Sequence, residues 1–211
     1  MDALLPLVFA CLMGMGHAFE PDHLIAVSQL VARRDSTLLA VKDGLYWGLG
    51  HTTMLVVFGS VLMFGKLTLL TGGYFEALVG LVLISLGIGR LTNRANFVPT
   101  RPVRNPHAWA YAIGLLHGLA GSGVLVLAVL GELRDPRLAL TYILLFGLGS
   151  VVGMFGAAGL MHIPFTPRMR LSRALTGSVV ALSSLLSIGY GGWMVYQHLW
   201  LNGQIAALLN G

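Results

Sequence analysis

Three features of the chain point to an all-α integral membrane protein of six transmembrane helices, folded as two inverted three-helix repeats with a broken first helix in each. The 211 residues are 56% hydrophobic and only 10% charged, where a soluble domain carries about 25% charged residues, and the mean hydropathy is +0.80. Six apolar stretches follow one another at 3 to 32, 44 to 65, 74 to 92, 107 to 131, 138 to 161 and 174 to 200, each long enough for a bilayer core that takes about 20 helical residues. Sequence patterns of the first half return in the second at an offset near 100.

The first stretch is longer than a bilayer needs. Residues 3 to 32 as one helix would reach about 45 Å, against a hydrocarbon core of about 30 Å. Pro21 supplies a break, because it lacks an N–H and disfavours helical geometry at Glu20. The second stretch carries Gly48-Leu49-Gly50-His51, whose glycines permit close helix approach. These residues align with Gly147-Leu148-Gly149-Ser150 in the fifth stretch, and His17 aligns with His117 in the fourth. The third and sixth stretches match as Leu83-Ile84-Ser85-Leu86-Gly87-Ile88-Gly89 on Leu185-Leu186-Ser187-Ile188-Gly189-Tyr190-Gly191. In the fourth stretch the glycines Gly118, Gly121 and Gly123 take the place of a proline as helix breakers. Gly153, Gly156 and Gly159 make a small-residue packing face on the fifth, and Trp109, Trp193, Tyr196 and Trp200 fit interfacial anchors. The repeats are expected to divide the chain at 1–100 and 101–211, within a single membrane domain.

Each unit crosses three times, so the second must be inverted, and the loop charges agree. Arg33, Arg34 and Lys42, then Arg90, Arg94, Arg101 and Arg104, then Arg168, Arg170 and Arg173 fall on one side, while Lys66, Arg134 and Arg137 fall on the other. The excess of basic residues marks the cytoplasmic side and puts both termini outside the cytoplasm. The net charge of +5 is therefore read as topology and not as nucleic-acid binding. The start, Met1-Asp2-Ala3-Leu4, lacks the positive region of a secretory signal, so the first span is expected to be retained. Cys11 is the one cysteine of the chain, which excludes an internal disulfide and makes it a packing residue.

The segment His17-Ala18-Phe19-Glu20-Pro21-Asp22-His23 puts two imidazoles and two carboxylates into an otherwise apolar span. An ionised side chain at the bilayer centre costs about 2.5–3.5 kcal/mol by insertion scales, so a compensating partner is needed, and a bound cation supplies one. On an unbroken helix Asp22 and His23 would lie about 140° and about 120° from His17, which scatters the donors; unwinding at Pro21 lets them turn inward together. Imidazole with carboxylate suits a borderline divalent ion, whereas Ca²⁺ and Mg²⁺ sites are richer in oxygen. The expected metal residues are His17, Asp22, His23, His51 and His117, with Glu20 either fixing a histidine tautomer or exchanging protons. Met13, Met15 and Met54 are read as packing, Glu76 as solvated near a membrane boundary, and His107, His162 and His198 as interfacial groups at span ends.

These residues resemble a known family. His17 to His23 fits the H-x-x-x-x-D-H motif of the NiCoT nickel/cobalt transporters, and Leu49-Gly50-His51-Thr52-Thr53 is similar to their L-G-H-[DS]-[TS]. The wording His-Ala-Phe-Glu-Pro-Asp-His-Leu, with Leu116-His117-Gly118-Leu119-Ala120-Gly121-Ser122-Gly123, looks more like the UreH branch of small nickel-permease-like proteins. The resemblance implies a six-span permease of the LysE-type superfamily that carries Ni²⁺ or Co²⁺, with His17, Asp22, His23 and His51 carried over position by position. The chain departs from full-length NiCoT members in starting at the motif-bearing span and in having His117 among small residues where they have an acidic segment.

Secondary transport across the cytoplasmic membrane is thus the expected function, with no cofactor beyond the transported ion, Ni²⁺ or Co²⁺ and the bilayer as partners, and a homo-oligomer left open. Efflux of the same ions and transport of Fe, Mn or Zn are the alternatives. An intramembrane metal-dependent hydrolase lacks an H-E-x-x-H helix, a nucleotide-driven pump lacks a P-loop at Gly65-Lys66-Leu67, and a redox conductor lacks a partner for Cys11.

Overall fold

The computed structural model describes residues 4–32, 34–65, 74–92, 107–119, 135–166 and 173–201. Among them every regular element is helical, and no strand occurs. The helices are α1 (Leu4–His17), α2 (Pro21–Val31), α3 (Thr37–Gly65) and α4 (Tyr74–Leu91), then α5 (Ala108–Leu119), α6 (Pro136–His162) and α7 (Arg173–Val195). A 3-10 turn at Ile163–Phe165 follows α6, and a π-helical turn at Tyr196–Leu201 follows α7. Within the described residues, two stretches are long and apolar enough to cross a membrane, Arg137–His162 and Gly177–Trp200, which match the fifth and sixth stretches expected from the sequence.

The first stretch is two helices. After His17 the chain turns through Phe19, whose N–H donates to the Gly16 carbonyl at 2.9 Å, and Glu20, whose N–H donates to the His17 carbonyl at 3.1 Å. Glu20 is extended, with φ −62° and ψ 150°, and Pro21 is the first residue of α2. Both facts have one cause. A proline forces its predecessor out of the helical region, yet its own φ suits the first helical position, where the missing N–H would have no partner anyway. Asp22 in the first turn of α2 adds negative charge where the helix dipole favours it. Asp135 caps α6 in the usual way, its side chain accepting from the Arg137 N–H at 2.9 Å.

Glycines bring the long helices into backbone contact in reciprocal fashion. A Cβ on Gly14 of α1 would lie 2.0 Å from the Phe146 carbonyl oxygen and 3.0 Å from the Ser150 nitrogen of α6; a Cβ on Gly114 of α5 would lie 2.1 Å from the Trp47 carbonyl oxygen and 3.0 Å from the His51 nitrogen of α3. The relation holds in return, since Gly149 abuts the Cys11 carbonyl oxygen and Gly50 that of Tyr111. α1 on α6 and α5 on α3 are thus the same contact made twice. Between these pairs α3 packs along α6, with Gly44 against Met154, Gly48 against Val151 and the Thr52 hydroxyl donating to the Gly147 carbonyl at 2.9 Å. α4 and α7 form a separate close pair, joined by Gly80 against Gly191 and by the Ser187 hydroxyl donating to the Leu83 carbonyl at 2.7 Å. α2 lies between the two groups, touching α3 and α6 on one side and α4 and α7 on the other.

Two expectations are corrected by burial. His107 and His162 are not solvated groups at span ends: they are 7% and 0% exposed. The His107 Nδ1–H donates to Asp43 Oδ1 at 2.7 Å, and Tyr46 stacks on the ring. The Arg34 guanidinium clasps the same carboxylate through Nε and through Nη2, the latter at 2.8 Å. His162 Nε2 donates to the Arg34 carbonyl at 3.1 Å. A carboxylate that is 1% exposed needs compensation of this kind, because an unpaired buried charge costs several kcal/mol. Nor is Glu76 fully solvated, for its Oε2 is shielded without a hydrogen-bond partner among the described residues. Trp109, Trp193, Tyr196 and Trp200 are exposed.

Candidate metal centre

Four histidines meet where the α1–α2 turn faces α3 and α5. The His17 and His23 ring centroids are 4.5 Å apart, His17 and His51 5.2 Å, His23 and His51 5.4 Å, and His23 and His117 5.4 Å. His23, His51 and His117 are at most 1% exposed, and the His17 side chain is 11% exposed. The break at Glu20-Pro21 makes the assembly possible. His17 closes α1, His23 sits in the first turn of α2, and the change of direction between them brings together rings that one straight helix would point apart.

Hydrogen bonds fix which nitrogen faces inward. His17 Nδ1 lies 2.8 Å from Glu20 Oε1 and His23 Nδ1 lies 3.1 Å from Asp22 Oδ1; a carboxylate only accepts, so each ring donates from Nδ1. His117 Nδ1 likewise donates to the Ile113 carbonyl at 3.1 Å. In a neutral imidazole the second nitrogen then carries a lone pair. His23 Nε2, His117 Nε2 and both nitrogens of His51 are buried with no hydrogen-bond partner among the described residues. Buried polar atoms are nearly always satisfied, so several orphans in one cluster mark a place for a guest.

A cation fits these donors. One ring nitrogen from each of His17, His23 and His51 lies within 4.8 Å of the other two. A metal–nitrogen bond of about 2.0–2.1 Å allows two donors at most about 4.2 Å apart, so small ring rotations suffice. One donor atom from each of Glu20, Asp22 and His23 also falls within 4.8 Å of the others, which keeps two negative charges against the histidine group. Acceptors that hold a histidine by its far nitrogen orient the ring and raise its basicity toward a metal.

Of the remaining residues expected here, Gly118 is still helical and packs on the His51 carbonyl, where a Cβ would stand 2.4 Å away. Gly121 and Gly123 lie outside the described residues. Met13 and Met15 point outward and take no part. Two aromatic residues were not singled out by the sequence. Trp47 is fully buried, with its ring 5.3 Å from His23 and 5.7 Å from His117; Phe146, 1% exposed, lies 5.4 Å from His17. The repeat holds a signal for them, since the alignment that sets Gly48 on Gly147 sets Trp47 on Phe146 one position earlier.

One curated relative, the urease accessory protein UreH of Bacillus sp. (strain TB-90), is 32% identical over 211 aligned residues, which take in 92% of this chain and 92% of the relative. The chain belongs to the UreH family. Its relative is named as an accessory protein, in keeping with a chain that is itself no enzyme. No family model matches the chain, and no solved structure matches it.

Proposed function

We propose that this UreH family member is a secondary transporter that carries a divalent transition-metal ion, Ni²⁺ or Co²⁺ foremost, across the cytoplasmic membrane. The carrying observation is the convergence of four imidazoles, three of which, His23, His51 and His117, bury ring nitrogens that have no hydrogen-bond partner among the described residues. His17, His23, His51 and His117 would grip the ion. Asp22 and Glu20 would hold the rings of His23 and His17 and offset the charge of a dication in an apolar setting. Nickel comes first because the relative is named for service to urease and because nitrogen donors favour Ni²⁺ over Co²⁺, Fe²⁺ and Mn²⁺.

In this reading six spans form two inverted repeats, 1–100 and 101–211, with both termini outside the cytoplasm. Support comes from the reciprocal contacts of Gly14 and Gly114, which are what a two-fold relation between the halves produces, and from the one-sided basic loops. A transporter so built holds its cargo near the midplane, between the repeats and beside interrupted helices, and the turn at residues 18–20 is such an interruption.

Radioactive nickel uptake into proteoliposomes, with Co²⁺, Zn²⁺, Fe²⁺, Mn²⁺ and Mg²⁺ as competitors, tests the proposal. Saturable uptake that Co²⁺ suppresses and Mg²⁺ does not is expected, with loss of uptake in His51→Ala. The reading fails if protein-containing vesicles accumulate no more nickel than empty ones, or if a well-folded His51→Ala protein transports like the wild type.

A further inference from the structure

The two aromatic residues at the cluster are related in the same way as the halves themselves. Trp47 is four residues before His51 on α3, and Phe146 is four residues before Ser150 on α6, where the Ser150 hydroxyl bonds the Phe146 carbonyl at 3.0 Å. Each ring lies against the first-span histidine of the other half, Trp47 against His117 at 5.7 Å and Phe146 against His17 at 5.4 Å. Gly114 and Gly14 reinforce the two contacts by packing on the carbonyls of Trp47 and Phe146 themselves.

Helix direction decides where the rings stand. Four residues displace Trp47 about 6 Å from His51 toward the N-terminus of α3, and helical side chains lean further that way. That end of α3 carries Lys42 and follows Arg34. Phe146 is displaced by the same amount toward the N-terminus of α6. α3 and α6 pack antiparallel, as the contacts of Gly44 with Met154 and of Gly48 with Val151 require, so the two displacements point to opposite faces of the molecule. The histidine layer is therefore bracketed by one buried aromatic ring on each side.

We propose that Trp47 and Phe146 are the two gates of the transport path, Trp47 barring the side of the basic loops and Phe146 the opposite side. This rests on the transporter reading above. Swinging one ring away from its histidine opens the centre to that side alone, while the other ring stays seated; alternating access then needs only that the two are never displaced together. The gates also keep the centre dry, which favours an ion that exchanges its water for imidazole over one that holds its water, such as Mg²⁺.

The test is sided accessibility. Ser150→Cys in a Cys11→Ala background gives a single buried thiol at the position that aligns with His51, and its reaction with a membrane-impermeant methanethiosulfonate is timed in right-side-out and in inside-out vesicles. Phe146→Ala is expected to speed labelling from one face and Trp47→Ala from the other, each by about tenfold, corresponding to about 1.4 kcal/mol of gate opening. Trp47→Leu and Phe146→Leu carry the same expectation if an alanine variant does not reach the membrane, and Trp47→Phe should label like the parent. Acceleration on the same face by both variants, on both faces by either, or by neither overturns the proposal. Added Ni²⁺ provides a separate arm: if it fails to slow labelling, the metal reading falls while the sided rates still judge the gates.

Discussion

Asp43→Asn removes one charge and almost no volume, so its effect isolates the ionic part of the buried network at the start of α3. The wild-type carboxylate accepts from two nitrogens of Arg34 and from His107. Breaking a buried pair by neutralising one partner costs about 3–5 kcal/mol. The Arg34 side chain is 25% exposed and regains some hydration, which brings the expected loss to about 2–3 kcal/mol. For a chain of this size that is a fall in Tm of about 4–12 °C, measured by thermal unfolding in detergent. Arg34→Gln should cost about as much, and the double variant should cost less than the sum by about 1–3 kcal/mol, because the second change removes a charge already stranded by the first. Additive losses would refute the reasoning, since they would mean that Asp43 and Arg34 are stabilised by separate partners.

The reciprocal glycines predict matched penalties. Gly14→Ala and Gly114→Ala should each destabilise by about 1–3 kcal/mol, because a methyl group would drive into a backbone carbonyl that cannot move aside; unequal losses, one of them near zero in the same unfolding assay, would sink the equivalence of the two contacts. Asp22→Asn should weaken nickel binding by about 10–100-fold through the orientation and basicity of His23. Glu20→Gln should have a smaller effect, because its carboxylate is 52% exposed and water screens it. Isothermal titration with Ni²⁺ ranks the two, and the reverse order would remove Asp22 from its proposed role.

Much of the site was legible because its chemistry is out of place in an apolar span. His17 to His23 announce themselves by charge, Pro21 by its backbone rules, His117 by the repeat, and His51 by its glycine neighbours and the family motif. What escaped was anything whose meaning depends on a distant partner. Asp43 stands one residue before the expected start of the second span and beside Lys42, so it reads as loop, and only the fold brings His107 to it from 64 positions away. His162 fails in the same way, being a polar residue at a helix end whose acceptor is the backbone of Arg34. Trp47 and Phe146 look like ordinary filler in a membrane helix, and the repeat alone distinguishes them. Gly14 and Gly114 are legible as an aligned pair, but not as contacts that cross from one half to the other.

Those crossings decide how the helices are grouped. Glycine contacts clasp α1 to α6, α6 to α3 and α3 to α5, a four-helix slab, and among the described residues the glycine contacts of α4 and α7 are with each other. The division between these packed groups therefore does not follow the boundary proposed between the repeats, 1–100 and 101–211. His17, His51 and His117 ride on the slab, while His23 rides on the short helix α2 that bridges to the α4–α7 pair. In the proposed transporter an ion gripped by all four would tie α2 to that slab, and its release would leave α2 held by its helix contacts alone.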